Sequence, residues 1–134
     1  MSNFWKDKKV FITGHTGFKG AWLYSFLKSK GADIYGFSLP PQFEHSLYTM
    51  LGGEKEFLGE YGDIRDFSGL KQSLERYAPE IIFHLAAQPI VKTSYKDPVS
   101  TYSTNVMGTV NILEIAKNLK NLKALVNVTT DKCY

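Results

Sequence analysis

Three glycines stand at even spacing in Thr13-Gly14-His15-Thr16-Gly17-Phe18-Lys19-Gly20, between an apolar β-branched run and a stretch of helical periodicity. A strand, a glycine turn and a helix in that order bring backbone N–H groups and the positive end of a helix dipole to one point, which suits a pyrophosphate. Gly14 would make the tight turn, Gly17 would let phosphate approach the backbone, and Gly20 would let the helix pack closely on the sheet. The spacing is G-x-x-G-x-x-G, not the G-x-G-x-x-G of ordinary dehydrogenases. It also fails the P-loop pattern. There a lysine follows the last glycine and precedes Ser or Thr, whereas here Lys19 precedes Gly20 and Ala21 follows it. Without a ligand the same residues are simply a flexible turn.

Two further groups could do chemistry. Dinucleotide folds place an acidic residue at the end of the second strand, on the adenine ribose. This chain has Ser38 there, neither an acid nor an arginine, so the residues alone leave NAD and NADP both open. In Gly62-Asp63-Ile64-Arg65-Asp66, the Asp63 carboxylate could accept from an adenine amino group and Ile64 could flank the ring. An Asp after a strand is also a common turn or helix cap. Thr129-Thr130-Asp131-Lys132 ends the last apolar run, and from residue types alone it reads as polar residues capping a turn. His15, His45 and His84 fall in different elements and far from Cys133, so no metal centre is expected. His84, inside an apolar strand, reads as a packed and satisfied residue.

These groups need a scaffold, and the chain alternates short apolar runs with helical segments, the pattern of βαβ units around a parallel sheet. Strands are predicted at Lys9 to Thr13, at Asp33 to Leu39, within Glu56 to Ile64, at Glu80 to Ala87 and at Lys123 to Thr130. Trp22, Leu23, Phe26 and Leu27 give the first helix its apolar spacing, and Gly31 closes it. Asp66 caps a helix whose inner face is Phe67, Leu70, Leu74 and Tyr77, and Pro79 follows it. One long helix is predicted over 98–118, with Val106, Val110, Leu113 and Ala116 or Lys117 in register. Right-handed crossovers then give a Rossmann-type doubly wound parallel sheet in the order 3-2-1-4-5. A sheet of this kind normally adds another crossover helix after strand five. The chain ends at Tyr134, so residues 1–134 read as one incomplete dinucleotide-binding domain.

Composition agrees with a globular domain: the 134 residues are 43% hydrophobic and 22% charged. A net charge of +3, with lysines spread along the chain, argues against nucleic acid as a partner. One cysteine excludes an internal disulfide and fits a reducing compartment. The first residues mix Lys and Asp, and nowhere is there a run of apolar residues long enough to span a bilayer. A cytoplasmic protein is expected.

The motifs "TGHTGFKG", "GDIRD", "FHLAAQP", "STNVMGT" and "VNVTTDKCY", in that order and over nearly the whole chain, resemble the extended short-chain dehydrogenase/reductase family. The resemblance implies an enzyme that dehydrates a sugar nucleotide, CDP-glucose, by moving hydride from C4 to C6 through NAD with loss of water. It implies cofactor contacts from Gly14, Thr16, Gly17, Phe18 and Lys19 at the pyrophosphate, Ser38 near the ribose, and Asp63 and Ile64 at adenine. Leu85, Ala86, Ala87 and Gln88 would line the cofactor, with Thr104 and Thr129 nearby. Lys19 stands where many relatives carry an apolar residue. It is either a salt-dependent contact to phosphate or substrate or a solvated lysine at a helix start.

For catalysis, the resemblance gives Thr130 a hydrogen bond to the C4 oxygen and makes Asp131 the general acid for the leaving hydroxyl. Lys132, where many relatives have Glu, becomes the C5 base or an electrostatic support for the enolate. An epimerase or another dehydratase of the family is the alternative, and an inert nucleotide-binding module is another. The Tyr-x-x-x-Lys pair that the family carries on the helix after strand five is not found within these residues, because Tyr95 and Lys96 are adjacent and no lysine follows Tyr134. The chain is therefore expected to bind NAD without turning over substrate. The helix from Pro98 is the candidate surface for a homodimer.

Overall fold

A computed structural model describes residues 3–130. Its five strands are β1 (Lys9–Thr13), β2 (Asp33–Ser38), β3 (Gly59–Tyr61), β4 (Ile81–His84) and β5 (Ala124–Asn127). They form one sheet in the order β3-β2-β1-β4-β5, and every pairing is parallel. This is the predicted doubly wound order. The strand order reverses between β1 and β4, the place where folds of this kind leave a crevice at the carboxyl ends of their strands.

Alternation along β1 sends its side chains into two cores. Val10 and Ile12 pack with Ala21, Tyr24 and Leu27 of helix α1 (Phe18–Ser29) on one face. Phe11 points the other way, into Leu70 and Leu74 of α3 (Phe67–Tyr77) and Ile112 and Ile115 of α6 (Gly108–Ala116). A short helix α2 (Leu47–Met50) and a 3₁₀ turn (Gly53–Lys55) lead from β2 to β3.

Helix ends follow the local chemistry. Gly31, at φ +87°, ends α1 with its N–H on Lys28 O (3.0 Å) and the Ala32 N–H on Leu27 O (3.1 Å), the paired bonds of a left-handed cap. Asp66 caps α3 by accepting from Gly69 N at 3.2 Å.

Four expectations need correction. Three strands are shorter than predicted: β2 stops at Ser38, β4 at His84 and β5 at Asn127, while β3 falls within its predicted stretch. The first helix turns a different face inward. Gly20, Ala21, Tyr24 and Leu27 are buried, while Phe18, Trp22 and Phe26 form an exposed stripe at i, i+4, i+8. The small residues let the helix axis approach the sheet, and only the Leu23/Leu27 half of the predicted stripe turns in with them. The predicted 98–118 helix is a run of α5 (Pro98–Tyr102), a π-turn (Ser103–Met107) and α6. Its Gly108, Ile112 and Ile115 are buried, leaving Val106, Val110 and Leu113 exposed. Both stripes have helical spacing. Gly108 lies on the inner one, packed so closely that a Cβ there would lie 2.4 Å from Ile64 Cδ1 and push that side chain aside, and Ile112 and Ile115 join the same core. Lastly, a helix α4 (Val91–Lys96) stands in a stretch with no predicted element.

Candidate functional site

The loops after β1, β2, β3 and β4 meet at one edge of the sheet. Gly14, at φ +82°, donates its N–H to Phe37 O (2.9 Å), and a Cβ on it would lie 2.8 Å from Ala86 N. The glycine turn is thereby pressed between the ends of β2 and β4. A Cβ on Gly20 would lie 2.0 Å from Gly14 O, so this glycine is required by the loop that the helix folds back on.

Gly17 differs from both. It is the N-cap of α1 with no side-chain capping bond, and a Cβ on it would meet one atom, Gly14 O, at 3.4 Å. Its lack of a side chain serves space outside the protein, not packing within it. The first-turn N–H groups of Phe18, Lys19 and Gly20 have no acceptor inside the helix. Phe18 and Lys19 are exposed beside this opening. The arrangement supplies what a phosphate needs, free donors at a helix start with no Cβ in front of them.

Thr16 ties the loop to the end of β2. Its hydroxyl donates to Leu39 O (2.9 Å) and lies 2.8 Å from Ser38 Oγ, and both side chains are buried. Ser38 O in turn accepts from Gly62 N at 2.8 Å, which brings Asp63 alongside. The Asp63 carboxylate is gripped by Arg65 through Nε (3.0 Å to each oxygen) and Nη2 (2.6 Å), and it caps the turn by accepting from Arg65 N at 2.9 Å. The Arg65 hydrogen bonds hold the Asp63 carboxyl below the usual carboxylate range. Ile64 is 4% exposed and packed on Gly108, so its side chain belongs to the core and only its backbone reaches the edge. Asn111 Nδ2 fixes that backbone by donating to Ile64 O at 2.9 Å.

After β4, Leu85 N and Ala86 N both donate to Thr13 Oγ1 at 3.1 Å. Ala87 is exposed. The Gln88 backbone pairs with the Asn105 side-chain amide, Gln88 N to Oδ1 at 2.7 Å and Asn105 Nδ2 to Gln88 O at 3.1 Å. Its own side chain is occupied by Ile90 N, Ile90 O and Thr101 Oγ1. Gln88 thus clamps the turn into α4. Thr104 is half-buried in the π-turn beside Asn105. Thr129 and Thr130 follow β5, where Val128 N still bonds His84 O at 3.0 Å, and both are exposed. Asp131 and Lys132 lie outside the described residues. Among the described residues no group of His, Cys, Asp or Glu could hold a metal ion, and no helix is long and apolar enough to cross a membrane.

Sequence reasoning missed four polar residues that organise this edge: Thr13, Arg65, Asn105 and Thr109. Each was in view within a motif, Asn105 and Thr109 at the i, i+4 spacing of one helix face. Thr13, Asn105 and Thr109 each reach a partner in another element, whereas Arg65 grips Asp63 two residues before it.

Comparison with known proteins finds similarity to sugar-nucleotide dehydratases and epimerases. The family described as GDP-mannose 4,6 dehydratase matches residues 11–134. The chain is 51% identical over 132 residues to CDP-glucose 4,6-dehydratase of Salmonella typhimurium, covering 98% of this chain and 37% of that protein. It is 33% identical to CDP-paratose 2-epimerase of Salmonella typhi, covering 94% and 38%. Among solved structures, UDP-glucose 4-epimerase of Thermus thermophilus in complex with NAD has a TM-score of 0.73 at 26% identity, covering 87% of this chain and 36% of that one. The epimerase Mth375 of Methanothermobacter thermautotrophicus shares the fold at a TM-score of 0.82, over 96% of this chain and 37% of its own. The chain spans under two-fifths of the length of each of these relatives.

Proposed function

The chain belongs to the GDP-mannose 4,6-dehydratase family, and on that premise we propose that it is the NAD-binding part of a CDP-glucose 4,6-dehydratase. The observation that carries the cofactor reading is Gly17: in a loop whose other two glycines are forced by packing, it alone faces open space at an uncapped helix start. The 51% identity to CDP-glucose 4,6-dehydratase supports the substrate, and the NAD complex of a 26% identical epimerase supports the cofactor.

In this reading the N–H groups at Phe18 and Lys19 hold the pyrophosphate, with Thr16 and Ser38 at the ribose. The Asp63 carboxylate and the Ile64 backbone meet adenine. Leu85 to Gln88, with Thr104 and Thr129, border the nicotinamide half. NAD, when bound, supplies hydride acceptance at sugar C4 and its return at C6, so the cycle consumes no cofactor. Thr130 hydrogen-bonds the C4 oxygen, which orients the sugar. Asp131 protonates the leaving C6 hydroxyl, and Lys132 takes the C5 proton or holds the enolate by its charge. Turnover is proposed for the whole protein. The exposed Val99, Tyr102, Val106, Val110 and Leu113 along 98–116 are proposed as a homodimer surface.

The test is incubation of the whole protein with NAD and CDP-glucose, following the alkali absorbance of a 4-keto-6-deoxy product. No product from CDP-glucose, with product from another nucleotide sugar, overturns the substrate assignment. An epimerised sugar that keeps its C6 oxygen moves the protein to the epimerase branch, the second reading that the CDP-paratose 2-epimerase relative favours.

A further inference from the structure

His84 sits at the carboxyl end of β4, 2% exposed, with a partner on each ring nitrogen. Its Nδ1 lies 2.7 Å from Thr13 Oγ1 and its Nε2 lies 3.2 Å from Thr109 Oγ1. Hydroxyl valence fixes the direction of these bonds. Thr13 Oγ1 accepts from Ala86 N at 3.1 Å and shares Leu85 N, which also bonds Thr13 O, at 3.1 Å. The direction is set at the other nitrogen: Thr109 Oγ1 gives its one hydrogen to Asn105 O at 2.7 Å, so it can only accept from Nε2, and in a neutral ring Nδ1 is left to accept from Thr13. The Asn105 side-chain amide then closes on both backbone groups of Gln88.

The result is a one-way chain of donors, Thr13 to His84 to Thr109 to Asn105. It begins at the last residue of β1, crosses β4 and enters the π-turn. An extra residue in that turn shifts the helix phase, and π-turns commonly mark functional sites. Both ends of the chain grip the same loop: Thr13 holds Leu85 and Ala86, and Asn105 holds Gln88. Burial lowers the pKa of His84 to about 4, which keeps the ring neutral at pH 7.

We propose that His84, as the neutral Nε2–H tautomer, is a positioning residue that sets the 85–88 loop against the glycine turn for cofactor binding. The role in binding rests on the NAD reading above, whereas the tautomer does not.

Two measurements on the whole protein separate the two. Nitrogen-15 NMR of the histidine side chains at pH 7 reads the tautomer directly. A pyrrole-type Nε2 and a pyridine-type Nδ1 on His84 are expected; a protonated Nδ1, alone or in an imidazolium, overturns the chain of donors. Calorimetric titration with NAD then compares Thr109→Val with Thr109→Ser. The valine variant is expected to bind NAD at least tenfold more weakly, with near-ultraviolet dichroism unchanged, and the serine variant to recover to within about threefold of the parent. Equal affinity in Thr109→Val overturns the positioning role. Thr109→Ala serves if the valine variant does not fold. If the parent itself does not bind NAD, the cofactor reading and the positioning role fall together, and the NMR result still decides the tautomer.

Discussion

Lowering the pH from 7 to 5 should strip this fold of a large part of its stability, through two histidines. His15 and His84 are both almost fully buried, and burial lowers each from an ordinary pKa of 6.5 to about 4. His15 lies among the rings of Tyr24, Tyr48 and Phe57, and its Nδ1 has no hydrogen-bond partner among the described residues. Between pH 6.5 and 4 the unfolded chain binds protons at these positions that the folded chain refuses. Stability is therefore full above pH 6.5 and falls as the pH is lowered towards 4. The full displacement corresponds to about 3 kcal/mol for each histidine, of which about 2 kcal/mol is already lost at pH 5. Against a typical domain stability of about 5–15 kcal/mol, losing about 4 kcal/mol is conspicuous. Asp63 does not confuse the window, because a lowered carboxylate pKa gives stability that is lost only below its ordinary value of 3.8. The assay is urea unfolding at pH 7, 6 and 5 and constant ionic strength, on the parent, His15→Asn and the double variant with His84→Asn. Each substitution should remove about half of the pH dependence. A change under about 1 kcal/mol between pH 7 and 5 in the parent would refute the reasoning, as would a double variant that keeps the full slope.

Three other outcomes are expected. Gly20→Ala should cost about 3 kcal/mol or more, since backbone atoms must move, whereas Gly17→Ala should cost under about 1 kcal/mol yet weaken NAD binding at least tenfold; calorimetry and chemical denaturation of both variants distinguish the two glycines. Arg65→Ala should return the Asp63 carboxyl towards the ordinary range, followed by carbon-13 NMR titration, and an unmoved midpoint would show that Arg65 is not what holds it down. Val106→Asp with Val110→Asp should leave the thermal midpoint nearly unchanged but shift sedimentation equilibrium from dimer to monomer, and a parent that sediments as a monomer removes that surface from consideration.

Most of the sheet can be read in the sequence because four of its five strands lie in short runs carrying Val, Ile, Leu or Phe, separated by helical periods, and the parallel order follows from right-handed crossovers. The glycine loop can be read because its three glycines stand between a strand and a helix. The role of each glycine follows from its place in that order, but its partner does not, since Gly20 is pressed on Gly14 O and Gly14 on Ala86, contacts that exist only after folding. The inner face of the long helix is not legible because two stripes share one spacing, and the choice between them rests on contacts from other elements, such as Ile64 beneath Gly108 and Phe11 in the core of Ile112 and Ile115. The polar chain through His84 is hidden for a similar reason: Thr13 and His84 are 71 positions apart and His84 and Thr109 are 25 apart. Ile64 shows the same limit. Its place in "GDIRD" suggests contact with a ligand, and the packing of the fold sends it inward.

Gly36 lies directly beneath the imidazole of His15, where a Cβ would fall 2.3 Å from the ring's Cγ. The two positions are therefore locked in order of change. Any side chain at 36 must wait until residue 15 has given up its ring, whereas residue 15 can shrink at any time. A mutational walk through this fold would meet the pair as a one-way gate, and a library that varies position 36 alone would find it nearly invariant for a reason that lies 21 residues away.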